Sequence, residues 1–409
     1  MSRLDKLIQE LCPNGVEYKT LNDVTNFRNG KGHEKDISDN GTYIVVNSKF
    51  ISTEGAICKY SNKQIVPLYK DEILMVMSDL PNGRALAKCF IVDKDNKYTL
   101  NQRIGAFKVY SDLMNPKFLF YILNRNKQLL RYDNGVDQTN LRKDDILNIS
   151  IPVPPMEVQC EIVRILDNFT ELTAELTAEL TARKKQYEYY RDELLTFEEN
   201  FSLVKLGDVC DTVTDYVAAG SFGDIAKNVV YKNTVNYAQL VRTVDIKSKF
   251  TKSEFIYVDE KAFNYLWRVN LDKECIILPN IGVNCGEVYY VTPSDLPHSH
   301  NVLGPNAILL RSTVVINKYL FYFFQTPDFQ KQLRRIISPA GQTKFNKTEL
   351  KKIELKIPPL EEQERIVSIL DRFDALCNDI SIGLPAEIEA RRKQYEYYRD
   401  KLLSFKELT

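Results

Sequence analysis

Several short stretches of this 409-residue chain gather side chains suited to a phosphate backbone and the edges of bases. Lys and Arg bind phosphate or guanine, and Asn and Gln pair with adenine. RNGKGHEK sets Arg28, Lys31, His33 and Lys35 in a Gly-rich loop, and SDLPNGR offers Asn82 and Arg84. GVDQTNLRK offers Gln138, Thr139, Asn140, Arg142 and Lys143. GQTKFNK offers Gln342, Thr343, Lys344 and Lys347, while Ser221, Lys227, Lys232 and Arg242 lie in a loop-rich stretch after Asp215. The Gln-Thr pair occurs in both halves, just before a strand. Shared residues cannot explain different base sequences, so phosphate contact is the expectation. A turn that merely holds local geometry is the competing reading. For any single Lys or Arg, a solvated surface charge competes as well.

Other chemistries find little support. The chain has no GxxxxGK[ST] phosphate loop, no GxGxxG in a strand–helix setting, and no Asn-Pro-Pro-aromatic run of the amino-methyltransferases. Asp328 after a proline, with Glu354-Leu-Lys356, imitates a metal-dependent nuclease site. Its spacing is loose, and Ser150 and Pro152 stand at the aligned positions of the first half. His298–His300 lacks a companion metal ligand at a recognised spacing. Eight scattered cysteines form no CxxC pair, so reduced, mostly buried thiols are expected. No catalytic chemistry is expected of this chain itself.

Zero formal net charge hides a pattern. Residues 18–150 and 201–356 each hold 20 basic against 15 acidic residues, whereas 151–200 hold 5 against 11 and 357–409 hold 8 against 11. Two mildly basic blocks alternate with two acidic ones, and for a polyanionic partner distribution matters more than the total. An apolar content of 44% indicates a globular chain. No apolar run reaches membrane-spanning length, and MSRLDKLIQELCP lacks a signal-peptide core, so a cytoplasmic location is expected.

The block sizes match because the chain is one unit written twice. RKKQYEYYRDELLTF at 183–197 returns as RRKQYEYYRDKLLSF at 391–405, identical at 12 of 15 positions. Upstream, Pro154, Pro155, Gln159, Ile162, Val163, Ile165, Leu166, Asp167 and Phe169 recur 204 positions later, as Pro358 through Phe373. Double proline followed by acidic residues is a helix-start signal. Apolar residues then recur every three or four positions, predicting one long helix over about 156–198. In the second copy, Gly383 and Pro385 predict a break. One apolar stripe amid charges reads as a coiled-coil seam. The two helical regions are expected to pack on each other antiparallel through Tyr187, Tyr190, Leu194, Tyr395, Tyr398 and Leu402. ELTAELTAELTA at 171–182 adds whole TAEL units, each about 6 Å of helix.

The blocks between read as short strands (YIVVNSKF, EILMVMS, AFKVY, ECIILP, EVYYV) with one amphipathic helix each, NPKFLFYILNRNKQLLRY and INKYLFYFFQTPDFQKQLRRI. The expected fold class is α+β: two strand-rich globular domains joined by two long antiparallel coiled-coil helical regions, with a pseudo-two-fold internal repeat. The expected divisions are 1–17, an N-terminal segment; 18–155 and 201–356, the two globular domains; and 156–200 and 357–409, the helical regions.

The paired PPxEVQ/PPLEEQ starts, the IVxILDxF elements, the RKKQYEYYRD signature and the TAEL tandem together resemble the specificity (S) subunits of Type I restriction–modification enzymes, over essentially the whole chain. The resemblance implies two target-recognition domains, each reading one half of a bipartite double-stranded DNA sequence. It implies a spacer set by the helices, with TAEL copy number as one determinant. It also implies two methyltransferase (M) subunits and restriction (R) subunits as partners. S-adenosylmethionine, ATP and Mg would sit on those partners, with no cofactor in this chain. Two other classes stay open: a helical scaffold that does not read DNA, and a self-contained metal-dependent nuclease.

Overall fold

A computed structural model describes residues 2–81, 85–196, 201–251, 254–338, 343–379 and 382–408. The chain forms two compact units, Met1–Thr177 with Glu387–Thr409, and Ala178–Ala386.

In the first unit an antiparallel four-stranded sheet runs in the order Thr25–Asn29, Ile104–Val109, Ile73–Val76, Cys89–Ile91. Ile73–Val76 is buried throughout, as its unbroken apolar run requires. Side chains alternate across a strand, so Ile73 and Met75 enter one core while Leu74 and Val76 enter another. The first core is roofed by Phe118 and Leu119 of the helix Pro116–Leu123 and by Val158, Ile162 and Leu166 of the helix Met156–Leu194. The second lies under a smaller sheet of Tyr60–Ser61, Tyr43–Val46 and Tyr98–Leu100, the last two parallel. Glu17–Thr20 pairs with Ser150–Val153, which brings the two ends of the block together.

The second unit repeats this topology. Its central sheet runs Thr212–Asp215, Ala307–Arg311, Cys275–Pro279, Tyr289–Val291. Ile276 and Leu278 face one core, Cys275 and Ile277 the other. Ala238–Val241 lies parallel to Asn301–Leu303, and Leu203–Lys205 pairs with Glu354–Lys356.

The residues that recur at an offset of 204 join each block to its following helix. Gln159 is fully buried; its amide donates to the carbonyls of Leu113 and Pro154, both at 2.7 Å, and accepts from the Asn115 N–H at 2.8 Å. Gln363 repeats the device, donating to Pro358 and accepting from the Ile316 N–H at 2.9 Å. Asp167 accepts from Lys117 and from the Tyr121 hydroxyl, both at 2.7 Å. Asp371 does the same with Lys318 and Tyr322. Burial first, and the facing carboxylate second, push both tyrosine hydroxyls well above their ordinary pKa.

Several local expectations are revised. Each amphipathic stretch is two helices, not one. Arg125 takes φ +60° between Pro116–Leu123 and Lys127–Leu130. Thr326 caps Pro327–Ile336, with proline at its first position, and so separates it from Asn317–Phe323. YIVVNSKF is strand only to Val46, because the Asn47 side chain caps a helical turn over Ser48–Ser52. The break expected near Gly383 falls between Leu360–Asn378 and Leu384–Leu402.

The chain's last residues belong to the first unit. The Val16 N–H donates to the Lys406 carbonyl and the Leu408 N–H to Val16, both at 2.9 Å. The Tyr18 hydroxyl donates to the Phe405 carbonyl, and Tyr395, Leu402, Leu403 and Phe405 pack on the first core. Tyr398 stacks on Phe169. In the second unit Tyr187, which is buried, and Tyr190 both meet Phe373, with Leu194 packed on the same core. Among the described residues no helix is long and apolar enough to cross a membrane.

Candidate nucleic-acid interface

In the first unit, backbone hydrogen bonds line up three segments that are distant in sequence. Thr139–Asn140 pairs antiparallel with Ser78–Asp79. The Leu141 N–H donates to the Met77 carbonyl at 2.8 Å and the Met77 N–H to Arg103 at 3.2 Å, while Lys31 donates to Leu100 at 3.2 Å. Gly30 lies so close to the Asn101 carbonyl that a Cβ would sit 2.0 Å from its oxygen, so only glycine admits this approach. The result is one surface carrying exposed Lys31, Arg103, Gln138, Asn140, Arg142 and Lys143. The Gln138 amide donates to the Ser78 hydroxyl at 2.8 Å. Asp79 accepts from the N–H groups of Leu80, Ala85 and Leu86, holding the chain on both sides of residues 82–84. Lys35 is also exposed. Asn82, Arg84 and Gln342 lie outside the described residues.

Four of the named side chains are occupied inside the fold instead. His33 is 1% exposed; Nδ1 meets the Lys31 carbonyl and Nε2 the Thr99 hydroxyl, each at 2.8 Å, so it cannot reach a nucleic acid. Thr139 is buried and contributes through its backbone. Arg28 donates to the Pro67 carbonyl and to Glu72, whose side chain is 2% exposed and needs the counter-charge. Arg242 grips the fully buried Asp245 through Nε at 3.0 Å and Nη2 at 2.7 Å, and also donates to the Glu254 carbonyl. The Asp245 carboxylate raises the guanidinium pKa further.

In the second unit Thr343 and Lys344 are exposed, and their carbonyls accept from Gly282 and Ser338 at 3.0 and 2.9 Å. The Phe345 N–H donates to the Asn280 carbonyl, so this segment borders the end of the central strand as Thr139–Asn140 does in the first unit. Lys347 pairs with Asp215 at 2.8 Å. Ser221 caps the helix Phe222–Asn228, on which Lys227 is exposed, and Lys232 lies 3.6 Å from Asp259. Sequence reading missed Arg103 and Lys108, both exposed; Lys108 Nζ lies 5.8 Å from the Tyr69 ring centroid. Nothing local marks either residue. The bond from the Met77 N–H brings Arg103 to this surface, whereas Lys108 lies towards the other end of the strand Ile104–Val109, opposite Asn26.

The nuclease-like residues have another role. Gln332 donates to Asp328 and to the Glu354 carbonyl and accepts from the Glu354 N–H, holding the strand Glu354–Lys356 to the helix Pro327–Ile336. Gln128 grips Ser150 through the same two backbone bonds in the first unit. His300 stacks on Tyr237 with ring centroids 4.6 Å apart, and His298 packs edge-on against Tyr257. Among the described residues no three His, Cys, Asp or Glu side chains come together as a metal site.

A doubled α+β domain with a polar, cation-bearing edge, each copy followed by a helix, matches a known class. The family model for the Type I restriction modification DNA specificity domain matches residues 13–183 and again 198–390. A type I restriction enzyme specificity subunit of Haemophilus influenzae is 32% identical over 98% of both chains. The specificity subunit of the EcoR124I/EcoR124II enzyme of Escherichia coli is 35% identical over 63% of both. Among solved structures, the S subunit of a Type I restriction–modification system from M. genitalium covers 95% of this chain with a TM-score of 0.53 at 14% identity. A chain from a study of the assembly and conformational transition of a type I system covers 96% with a TM-score of 0.63 at 15% identity. The chain belongs to the type I restriction–modification DNA specificity family, as a non-catalytic specificity subunit with two DNA-recognition domains.

Proposed function

We propose that residues 18–155 and 201–356 each read one half of a bipartite duplex target, and that the helical regions 156–200 and 357–409 set the spacer between the halves. The N-terminal segment 1–17 joins the first domain. The observation that carries this reading is one topology built twice with different side chains on corresponding edges: Lys31 and Asn140 in one, Phe222 and Lys344 in the other. A repeated frame suits the local symmetry of duplex phosphates, and differing edges suit different base sequences. The helical segments pair as antiparallel coiled-coil seams through Tyr187, Tyr190 and Leu194 and through Tyr395, Tyr398 and Leu402, giving a pseudo-two-fold repeat.

The same helices carry two methyltransferase subunits, and restriction subunits complete the endonuclease in the cytoplasm. Support comes from the signature residues that do not pack inward: Tyr189 and Tyr397, equivalent in the repeat, are each 64% exposed. An exposed tyrosine at the same point of two identical segments suits two copies of one partner. S-adenosylmethionine, ATP and Mg belong to the partners.

The test is a gel-shift titration of the complex with its methyltransferase subunit at two salt concentrations. Sequence-specific binding that weakens steeply with salt is expected. Absence of binding even at low salt would leave a scaffold that does not read DNA.

A further inference from the structure

The two recognition domains differ where the first strand of the four-stranded sheet ends. In the first, Thr25–Asn29 runs into the loop bearing Lys31 and Lys35. In the second, Thr212–Asp215 runs into a turn over Tyr216–Ala219 and the helix Phe222–Asn228. These enclose an open groove of about 430 Å³ whose far wall is Asn280–Ile281. Phe222, on its rim, is 83% exposed, and Val217 and Tyr231 beside it are 45% and 47% exposed. Apolar surface gathered in this way on a soluble domain marks a binding site.

Position identifies the occupant. Asn280, in the groove wall, accepts from the Phe345 N–H, and Ile281 bridges to Lys344, so the groove is continuous with the edge that carries Thr343 and Lys344. Lys227 stands exposed on the helix of the opposite wall. Most of the groove's polar side chains already have partners, and Asn306, which also lines it, is exposed. The Asn280 amide donates to the Phe345 carbonyl at 3.1 Å, the Tyr231 hydroxyl donates to that of Tyr216 at 3.2 Å, and Asp215 is held by Lys347 and the Ala218 N–H. An extruded base would need donors and acceptors for its pairing edge. The apolar group that a paired base offers in the major groove is the C5-methyl of thymine.

We propose that this groove reads a thymine methyl group in the half-site of the second domain, with Phe222 as the specificity-determining side chain. The proposal rests on the reading of that domain as a DNA reader and names what it reads.

The test uses the complex with its methyltransferase subunit and duplexes of the mapped target in which each thymine in turn is replaced by deoxyuridine, which lacks only the methyl. Affinity should fall about three- to tenfold at one position, as expected for one buried methyl, and only in the half-site of the second domain. F222A should bind the thymine and uracil duplexes equally, and F222L should retain part of the discrimination. The proposal is overturned by a half-site without thymine, by tolerance of uracil at every position, or by F222A that still discriminates. If the complex binds no sequence specifically, the DNA-reading role fails instead. Phe222 is almost wholly exposed, so its replacement leaves the fold intact.

Discussion

The ring of Phe169 stacks on that of Tyr398, with centroids 5.6 Å apart and planes at 25°. Two residues 229 positions apart in sequence thus share the first unit. Domain one begins near the N-terminus yet is finished by the last residues of the chain, through Val16 with Lys406 and Leu408 and through Tyr18 with Phe405.

Truncation after Lys401 therefore unfolds or loosens domain one and spares domain two. The loss removes the half-buried Leu402, Leu403 and Phe405 from against the first core, at about 1 kcal/mol for each side chain. Hydrogen exchange read residue by residue should show faster exchange at Val16 and through Glu17–Thr20, with Cys275–Pro279 unchanged. Equal loss of protection in both domains would contradict this division.

Arginines of similar appearance in the sequence are expected to fail in different ways. R242A strands the carboxylate of Asp245, which is 0% exposed, and should cost about 2–3 kcal/mol in urea unfolding, discounted for the partial exposure of the arginine. R103A should leave the urea midpoint within about 0.5 kcal/mol of wild type. Its effect should appear in DNA affinity, with the salt slope reduced by about one. The opposite assignment would move Arg242 to the DNA and Arg103 into the fold.

Acid should act through Glu161. This side chain is 5% exposed and accepts from Arg164 at 2.7 and 3.0 Å, and that bond, more than any other influence, holds its pKa below the ordinary glutamate value. A carboxyl whose folded pKa lies below its unfolded pKa stabilises the fold at pH above the unfolded value, about 4.3. The contribution is lost as pH falls through the folded pKa. E161Q should be less stable than wild type at pH 7, and the difference should shrink as pH falls from about 5 towards 3. A difference that stays constant with pH would remove Glu161 from the acid response.

How far the sequence announces the structure depends on how local each signal is. Double prolines and the 3.6-residue stripe mark the helices, and Gly383 with Pro385 marks the break between Leu360–Asn378 and Leu384–Leu402. The apolar runs at 73–76 and 275–279 mark the central strands. Arg242 carried a local clue, since Asp245 three residues on completes a helix cap of the same form as Arg142 with Asp145. His33 carried none: its partner Thr99 is 66 positions away, on the parallel strand Tyr98–Leu100. The attachment of residues 402–408 to Val16 and Tyr18 is equally non-local, and no periodicity reports it. On the proposed interface, residue type pointed to Gln138, Asn140, Arg142 and Lys143, whereas Arg103 and Phe222 needed the backbone pairing and the groove to be seen.

Whether helices of set length hold two readers apart is decided by deleting Thr177–Leu180, one TAEL unit within the helix Met156–Leu194, and mapping methylated sites across the genome. One unit is about 6 Å of helix, or about one to two base pairs of duplex. The mutant should methylate a target with both half-sites intact and the spacer shortened by that amount. An unchanged spacer, or altered bases within either half-site, would contradict that role for the helices.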